Sequence, residues 1–437
     1  LASTWSRIGG EHTEGVGHYV VRPGSPLEGT VPICGAKNSV LKLMAATLLA
    51  PGTHRLRNVP HIADVETMCD LLVSMGLDVV REDATGGGLA ITRPDDVVPE
   101  APYELVERMR ASIVVLGPLL GAFGLARVSM PGGDDLGSRP IDLHLQGLEA
   151  LGAEFSFAHG TIEARASQLL GARVLLEFPS VGATENLLMA AVLAKGTTVI
   201  DNAAREPEIA DLAAFLNRMG ASVVGAGTST IVVEGVESLS PCEHTVVPDR
   251  IEAATFLCAV GIAGGEVELE GARPDHMDML LHKLGEMGLR TSPTGSGLWA
   301  AAPRRLRSVD VSTLPYPGIA TDYKPLLVAM LALADGVGIV TENLYADRFR
   351  YVAELVRMGA DIRIQGHHAV VRGVSRLSGA PVKAPDIRAG AALVLAGLGA
   401  EGETTVGDSL HIERGYEDLA GKLRSLGADV TLVRGED

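Results

Sequence analysis

The sequence predicts an α/β protein made of six similar units, divided three and three into two globules with a cleft between them. Three observations carry this prediction. First, six segments share one pattern: a glycine, a β-branched strand, a polar loop, an amphipathic helix, then Met or Leu followed by Gly, and another strand. They open at Gly52, Gly124, Gly196, Gly265, Gly336 and Gly402. Second, their spacing of about 70 residues is longer than the roughly 20 to 50 of common solenoid units. Third, helices of another kind lie between the segments and are apolar on nearly every side, so they need enclosure rather than a surface position. An open solenoid would leave them uncovered, and six units in 437 residues are too many for one core.

In chain order, residues 1–17 hold Arg7 but no apolar stretch and read as a flexible polar extension rather than a leader. The amphipathic helices follow from spacing: Val65, Met68, Leu72 and Met75 share one stripe, as do Leu212, Phe215, Leu216 and Met219. Each such helix closes on a glycine (Gly76, Gly152, Gly220, Gly288, Gly359, Gly427), the residue a left-handed C-terminal cap favours. The apolar helices are expected over 38–49, 111–123, 184–194, 251–263, 323–334 and 388–400.

Composition narrows the chemistry. A net charge of -17 argues against a general nucleic-acid binder, so an anionic substrate would need a local cluster of Arg and Lys. Four cysteines, at 34, 69, 242 and 258, show neither zinc-site pairing nor disulfide density, which suits a reducing cytoplasm. The longest apolar run, 111–126, is broken by Gly117, Pro118, Gly121 and Gly124 and is too short to span a membrane. No Walker loop, GxGxxG turn, HExxH pair or CxxC pair is present, and no metal or cofactor is expected.

Two groups of residues invite a functional reading. Pro131 to Pro140, Pro-Gly-Gly-Asp-Asp-Leu-Gly-Ser-Arg-Pro, packs glycine and charge into a loop that costs conformational entropy and adds no core. The second group stands where the apolar helices begin: Lys37, Arg110, Asp249-Arg250, Thr321-Asp322 and Asp386-Arg388. A single charged residue at a helix start is usually a cap. Several at equivalent starts converge if the units pack around a common axis, and helix N-termini favour anions. Lys37, Arg110, Arg139, Arg388 and Arg414 together could hold a carboxylate and one or more phosphates.

Seven stretches then resemble the enolpyruvyl transferase family: Gly-Ala-Lys-Asn at 35–38, Met-Arg-Ala-Ser at 109–112, the Pro-Gly-Gly loop ending in Ser138-Arg139-Pro140 with Asp142 and His144, Ser180-Val181-Gly182-Ala183-Thr184, Asn-Ala-Ala-Arg-Glu-Pro-Glu at 202–208, Thr321-Asp322, and Arg414-Gly415-Tyr416. The resemblance runs from about residue 18 to about residue 435. It implies a two-domain inside-out α/β barrel with six βαβαββ repeats in two pseudo-threefold domains. The domains would be 18–36 plus 248–437, and 37–247 carrying a mobile catalytic loop at 130–140.

The resemblance also implies the reaction: transfer of the enolpyruvyl group of phosphoenolpyruvate to a hydroxyl of a uridine nucleotide, with release of phosphate. The expected acceptor is the 3-OH of UDP-N-acetylglucosamine, in the first committed step of peptidoglycan synthesis in the cytoplasm. By matching motif, Lys37, Arg139, Arg388 and Arg414 bind phosphoenolpyruvate, Asp134 is the acid over C3, and Asp322 is the base at the acceptor hydroxyl. Lys37 and Arg414 also count as catalytic. The nucleotide and its sugar fall to Asn38, Arg110, Pro140, Asp142, Leu143, Ser180, Val181, Gly182, Thr321, Asp322 and Leu344. Glu206, Asp249 and Arg348 match charged positions near the cleft.

Three departures from the family pattern matter. Asp134 stands where the family usually has a cysteine. A carboxylate traps an epoxide poorly beside a thiolate, so fosfomycin is expected to leave the protein active. Rapid, stoichiometric covalent modification of Asp134 seen by mass spectrometry is the contrary result. The usual Phe-Pro-Thr-Asp with a Gln two residues on reads Ile319-Ala320-Thr321-Asp322-Tyr323-Lys324, which alters the frame of the base. Phe178-Pro179 replaces a more polar approach to Ser180 found in some members. The second departure opens one alternative, transfer to the 3'-OH of UMP in nucleoside-antibiotic biosynthesis; a non-catalytic paralogue is a separate alternative of another class.

Overall fold

The computed structural model describes residues 17–82, 87–130, 141–302, 305–345 and 347–434. The extension expected over 1–17 therefore lies outside the described residues except for Gly17, as does all of 131–140.

Six four-stranded sheets share one plan, in which the opening strand of each repeat pairs with a parallel edge strand on one side and an antiparallel strand on the other. In the first, Gly52–Arg57 runs antiparallel to Gly88–Arg93, which pairs in turn with Asp78–Arg81; the parallel edge is Glu243–Thr245. A parallel partner needs a crossover, and this one spans the second and third repeats before returning. Two sheets recruit the start of the chain. Leu27–Pro32 is the parallel edge beside Gly265–Glu270, and His18–Arg22 lies antiparallel between Thr404–Gly407 and Asp429–Val433.

The sheets lie outside and the apolar helices inside. Arg250–Ala263, Lys324–Leu331 and Ile387–Leu398 pack on one another, and every residue of the last is buried. They form one core together with Tyr19, Val21 and Leu27. Lys37–Ala46, Leu116–Phe123 and Val181–Ala191 contribute to a second core that reaches from Val40 to Val246. Fully burying a Leu or Val is worth about 1.5–3 kcal/mol, and helices that are apolar all round collect this on every face. The amphipathic helices cover the sheets through the expected stripes: Val65, Met68, Leu72, Met75, Leu212, Phe215, Leu216 and Met219 are all buried. The six closing glycines have φ between 92° and 105°, which a side chain tolerates poorly.

One helix differs from the reading of 111–123 as continuous. The chain forms a 3-10 turn over Arg110–Val115 and turns α-helical only at Leu116–Phe123. Pro118 has no N–H for the carbonyl of Val114, and its ring crowds that carbonyl, so a single α-helix cannot run through it. Gly117 at this join lies close to Val181–Ala191: a Cβ there would sit 2.3 Å from the Asn186 carbonyl oxygen. The Asn186 side chain instead accepts the Gly117 N–H at 2.6 Å. No helix of the described residues is long and apolar enough to cross a membrane.

Candidate active site

The starts of the six inner helices meet at one cleft of about 810 Å³. Lys37, Arg110, Ser180, Arg250, Asp322 and Arg388 all line it, one from each repeat, so residues from both cores face a common space. Some starts carry ordinary caps. Ser180 accepts from the Ala183 N–H, Asp249 from Ile251 and Glu252, and Asp386 from Arg388 and Ala389. With caps meeting the local N–H groups, the neighbouring cations are left to face the cleft.

Asp64 organises the cationic side. Its Oδ2 lies 2.8 Å from Lys37 Nζ and its Oδ1 accepts from Arg414 Nε at 2.8 Å. Burial lowers the Lys37 pKa, Asp64 opposes that, and the nearby Arg388 and Arg414 charges lower it further. Arg388 is buried with its guanidinium 5.0 Å from the centre of the Tyr416 ring, and its Nη1 meets no hydrogen-bond partner among the described residues. An unmet buried guanidinium N–H beside a lysine is a donor set suited to an anion.

Asp322 lies 2.8 Å from Arg348 Nη1. Burial alone would raise its pKa, but the Arg348 and Arg388 guanidiniums overcome that and hold the carboxyl well below the usual range. The group is thus ionised and hydrogen-bonded, able to accept a proton once a neighbouring hydroxyl becomes acidic.

The expected nucleotide residues Asn38, Arg110, Asp142, Leu143, Ser180, Val181, Gly182, Thr321 and Leu344 line the same cleft, as do Glu206 and Arg348. Asp249 is occupied as a helix cap. Asp134, Arg139 and Pro140 lie outside the described residues. Phe178 and Pro179 of the third departure are at the cleft wall.

Sequence reasoning assigned no role to Asp64, to the buried Lys42–Glu185 pair, or to Glu208, whose carboxylate takes two bonds from Arg250 at 2.9 and 3.3 Å. Lys42 and Glu185 did leave a signal, a charge inside each of two largely apolar helices. Burial pushes the Glu185 carboxyl up to about 7 in spite of Lys42. Asp64 left no comparable signal, since an acidic residue in the first turn of a helix is common.

The family profile of EPSP synthase (3-phosphoshikimate 1-carboxyvinyltransferase) matches residues 21–423. The chain is 51% identical over 411 residues to the UDP-N-acetylglucosamine 1-carboxyvinyltransferase of Myxococcus xanthus (strain DK1622), covering 94% of this chain and 98% of that protein. It is 49% identical over 416 residues to the enzyme of the same name from Corynebacterium jeikeium (strain K411), covering 95% and 99%. Among solved structures, the enolpyruvyl transferase NikO from Streptomyces tendae superposes with a TM-score of 0.85 at 25% identity, covering 97% of this chain and 100% of that one. EPSP synthase from Acinetobacter baumannii shares the fold, with a TM-score of 0.74 at 18% identity over 96% of this chain and 100% of that one.

Proposed function

The chain belongs to the EPSP synthase family of carboxyvinyltransferases, and on that premise we propose that its cleft transfers the enolpyruvyl group of phosphoenolpyruvate to the 3-OH of UDP-N-acetylglucosamine. The observation that carries this reading is the pairing of two opposed groups on one cleft: the Lys37–Asp64–Arg414 cluster with Arg388, and the ionised Asp322.

In the reaction, C3 of the enol takes a proton and C2 becomes cationic. The acceptor hydroxyl adds to C2 and gives up its proton. C3 then loses a proton, the C2–O bond to phosphorus-bearing oxygen breaks, and phosphate leaves with the electron pair. Lys37, Arg388 and Arg414, with Arg139 from the sequence motif, hold the carboxylate and phosphate of the donor and stabilise the departing phosphate. Asp322 accepts from the acceptor hydroxyl. Its low pKa makes it a weak base toward a free alcohol, but the proton becomes strongly acidic as the oxygen bonds to C2, so transfer is downhill at that moment. Asp134 is assigned the C3 proton on its motif alone. Arg110, Asp142, Leu143, Ser180 and Gly182 line the part of the cleft assigned to the uridine diphosphate, Pro140 is assigned to it on its motif alone, and the 51% identity to a UDP-N-acetylglucosamine enzyme favours that acceptor. Both substrates are cytoplasmic metabolites, which suits a cytoplasmic location.

A second reading, transfer to the 3'-OH of UMP, rests on the altered loop from Ile319 to Lys324 beside Asp322. Phosphate release with phosphoenolpyruvate and each acceptor in turn separates the two. Turnover is expected with UDP-N-acetylglucosamine; turnover with UMP alone selects the second reading, and none with either points to a non-catalytic paralogue.

A further inference from the structure

Lys324 is the least explained residue of the altered loop, since it does not line the cleft and its side chain is fully buried. Each of its ammonium protons has a destination. Nζ lies 2.8 Å from Glu342 Oε2, donates to the Arg348 carbonyl, and stands 3.9 Å from the centre of the Phe349 ring. A carboxylate, a carbonyl and a ring face are all acceptors, so this pocket is built for the charged form.

Glu342 is a hub in turn. Its Oε1 accepts from Thr313 Oγ1 at 2.7 Å and from the Leu344 and Tyr345 N–H groups at 2.8 and 3.2 Å. Its Oε2 accepts from Thr321 Oγ1 at 2.8 Å. Because the Thr321 proton is committed to Glu342, its oxygen lone pairs are free to accept from Arg348 Nη1 at 3.1 Å. The same Nη1 lies 2.8 Å from Asp322. An unbroken chain of bonds therefore runs from Lys324 through Glu342, Thr321 and Arg348 to Asp322, and Lys324 also grips Arg348 by its carbonyl.

We propose that Lys324 is a positioning residue for the transfer: as an ammonium ion it fixes Glu342 and Arg348, and through them the aim of the Asp322 carboxylate. The inference rests on the role given to Asp322 under the proposed function. Removing the charge lets Glu342 and the Arg348 carbonyl relax, the Thr321 hydroxyl turns, and Asp322 loses its alignment with the acceptor hydroxyl. Burial pulls the Lys324 pKa down to about 8, against Glu342, which raises it; Arg348 lowers it and Asp386 raises it. The sign is definite: the ammonium form and the alignment it maintains are present below that value and are lost as pH rises through it.

The test follows phosphate release by the wild-type protein and Lys324→Gln from about pH 6 to about pH 10, with phosphoenolpyruvate and the acceptor that supports turnover. The wild type is expected to show an alkaline limb in kcat with its midpoint at about 8. Lys324→Gln is expected to lose about 10²-fold in kcat, the scale of an ångström-level misplacement, and to show no such limb. Its KM for both substrates should stay within about twofold, since the residue touches neither. A purely structural role would lower the amplitude and keep the limb, so a retained limb or an unchanged kcat overturns the inference. If Lys324→Gln does not fold, Lys324→Arg decides, since a guanidinium stays charged through this range while Lys37, whose pKa is also lowered, is unchanged: loss of the limb at about 8 supports the inference, and a limb kept as in the wild type overturns it. If the wild type releases no phosphate with either acceptor, the transferase reading has failed separately. The crystal structure of Lys324→Gln then decides: an Arg348–Asp322 contact opened well beyond 2.8 Å supports the inference, and an unchanged one overturns it.

Discussion

Asp322→Asn lowers kcat by about 10²–10⁴-fold, the range for removing a positioned proton acceptor, and leaves the KM for phosphoenolpyruvate within about threefold. Asparagine has the same shape and its side-chain oxygen still accepts from Arg348, so the 2.8 Å contact and the loop that holds it survive. What it cannot do is take the hydroxyl proton as the acceptor oxygen bonds to C2. Steady-state phosphate release measures this, and a kcat within a few-fold of wild type would remove Asp322 from the chemistry. The pH dependence gives a second check. Against the burial that would raise it, Arg348 and Arg388 hold this carboxyl well below the usual range. A depressed carboxyl contributes above its unfolded pKa of about 3.9 and is lost only as pH falls through the lower folded value. Asp322 therefore cannot produce an acid limb in kcat near neutrality. Such a limb in the wild type belongs to another group of the cleft, for which Glu185 at about 7 is in range, and it persists in Asp322→Asn.

The repeats were legible because they rest on local rules. A left-handed cap needs glycine, and all six closing glycines have positive φ. An inner helix needs apolar residues on every face, and Ile387–Leu398 is buried throughout. The convergence of helix starts was legible for the same reason, since equivalent positions in equivalent units point the same way around an axis. The partners of those residues were not. Asp64 and Arg414 are 350 residues apart and touch only because the cleft brings the two cores together. Lys324 read as an oddity on the acceptor loop, and its meaning lies in Glu342 and Arg348, which no spacing rule connects to it. The pairing of Leu27–Pro32 with Gly265–Glu270 is equally silent, because a parallel partner can come from any distance in the chain. The break near Pro118 is legible in the sequence, because proline lacks the N–H that a continuous helix over 111–123 needs.

Lys37→Met separates binding energy from stability. Lys37 Nζ is 2.8 Å from Asp64, and Asp64 keeps Arg414 at 2.8 Å when the lysine is gone, so no carboxylate is left buried without a cation. Burial is also the leading reason the Lys37 pKa is lowered, which means the folded state disfavours this charge relative to water. Removing one partner of a buried pair costs about 3–5 kcal/mol when the other charge is left uncompensated, a cost that Arg414 on Asp64 removes here, and the apolar side chain no longer carries a desolvated charge. The melting temperature is therefore expected to hold or rise. A lysine whose folded pKa lies below its unfolded value of about 10.4 makes the wild type gain stability as pH climbs between the two, because the unfolded chain binds more protons there. Lys37→Met lacks that gain, so its stability curve is flatter over the same window, and denaturant unfolding at several pH values measures the difference. Function moves the other way. With the lysine removed, the departing phosphate loses a fixed cation in a water-poor cleft, and kcat/KM for phosphoenolpyruvate falls by about 10²–10³-fold, the usual loss for one preorganised donor. A variant that melts like wild type and keeps wild-type kcat/KM would show that Arg388 and Arg414 hold the donor without Lys37.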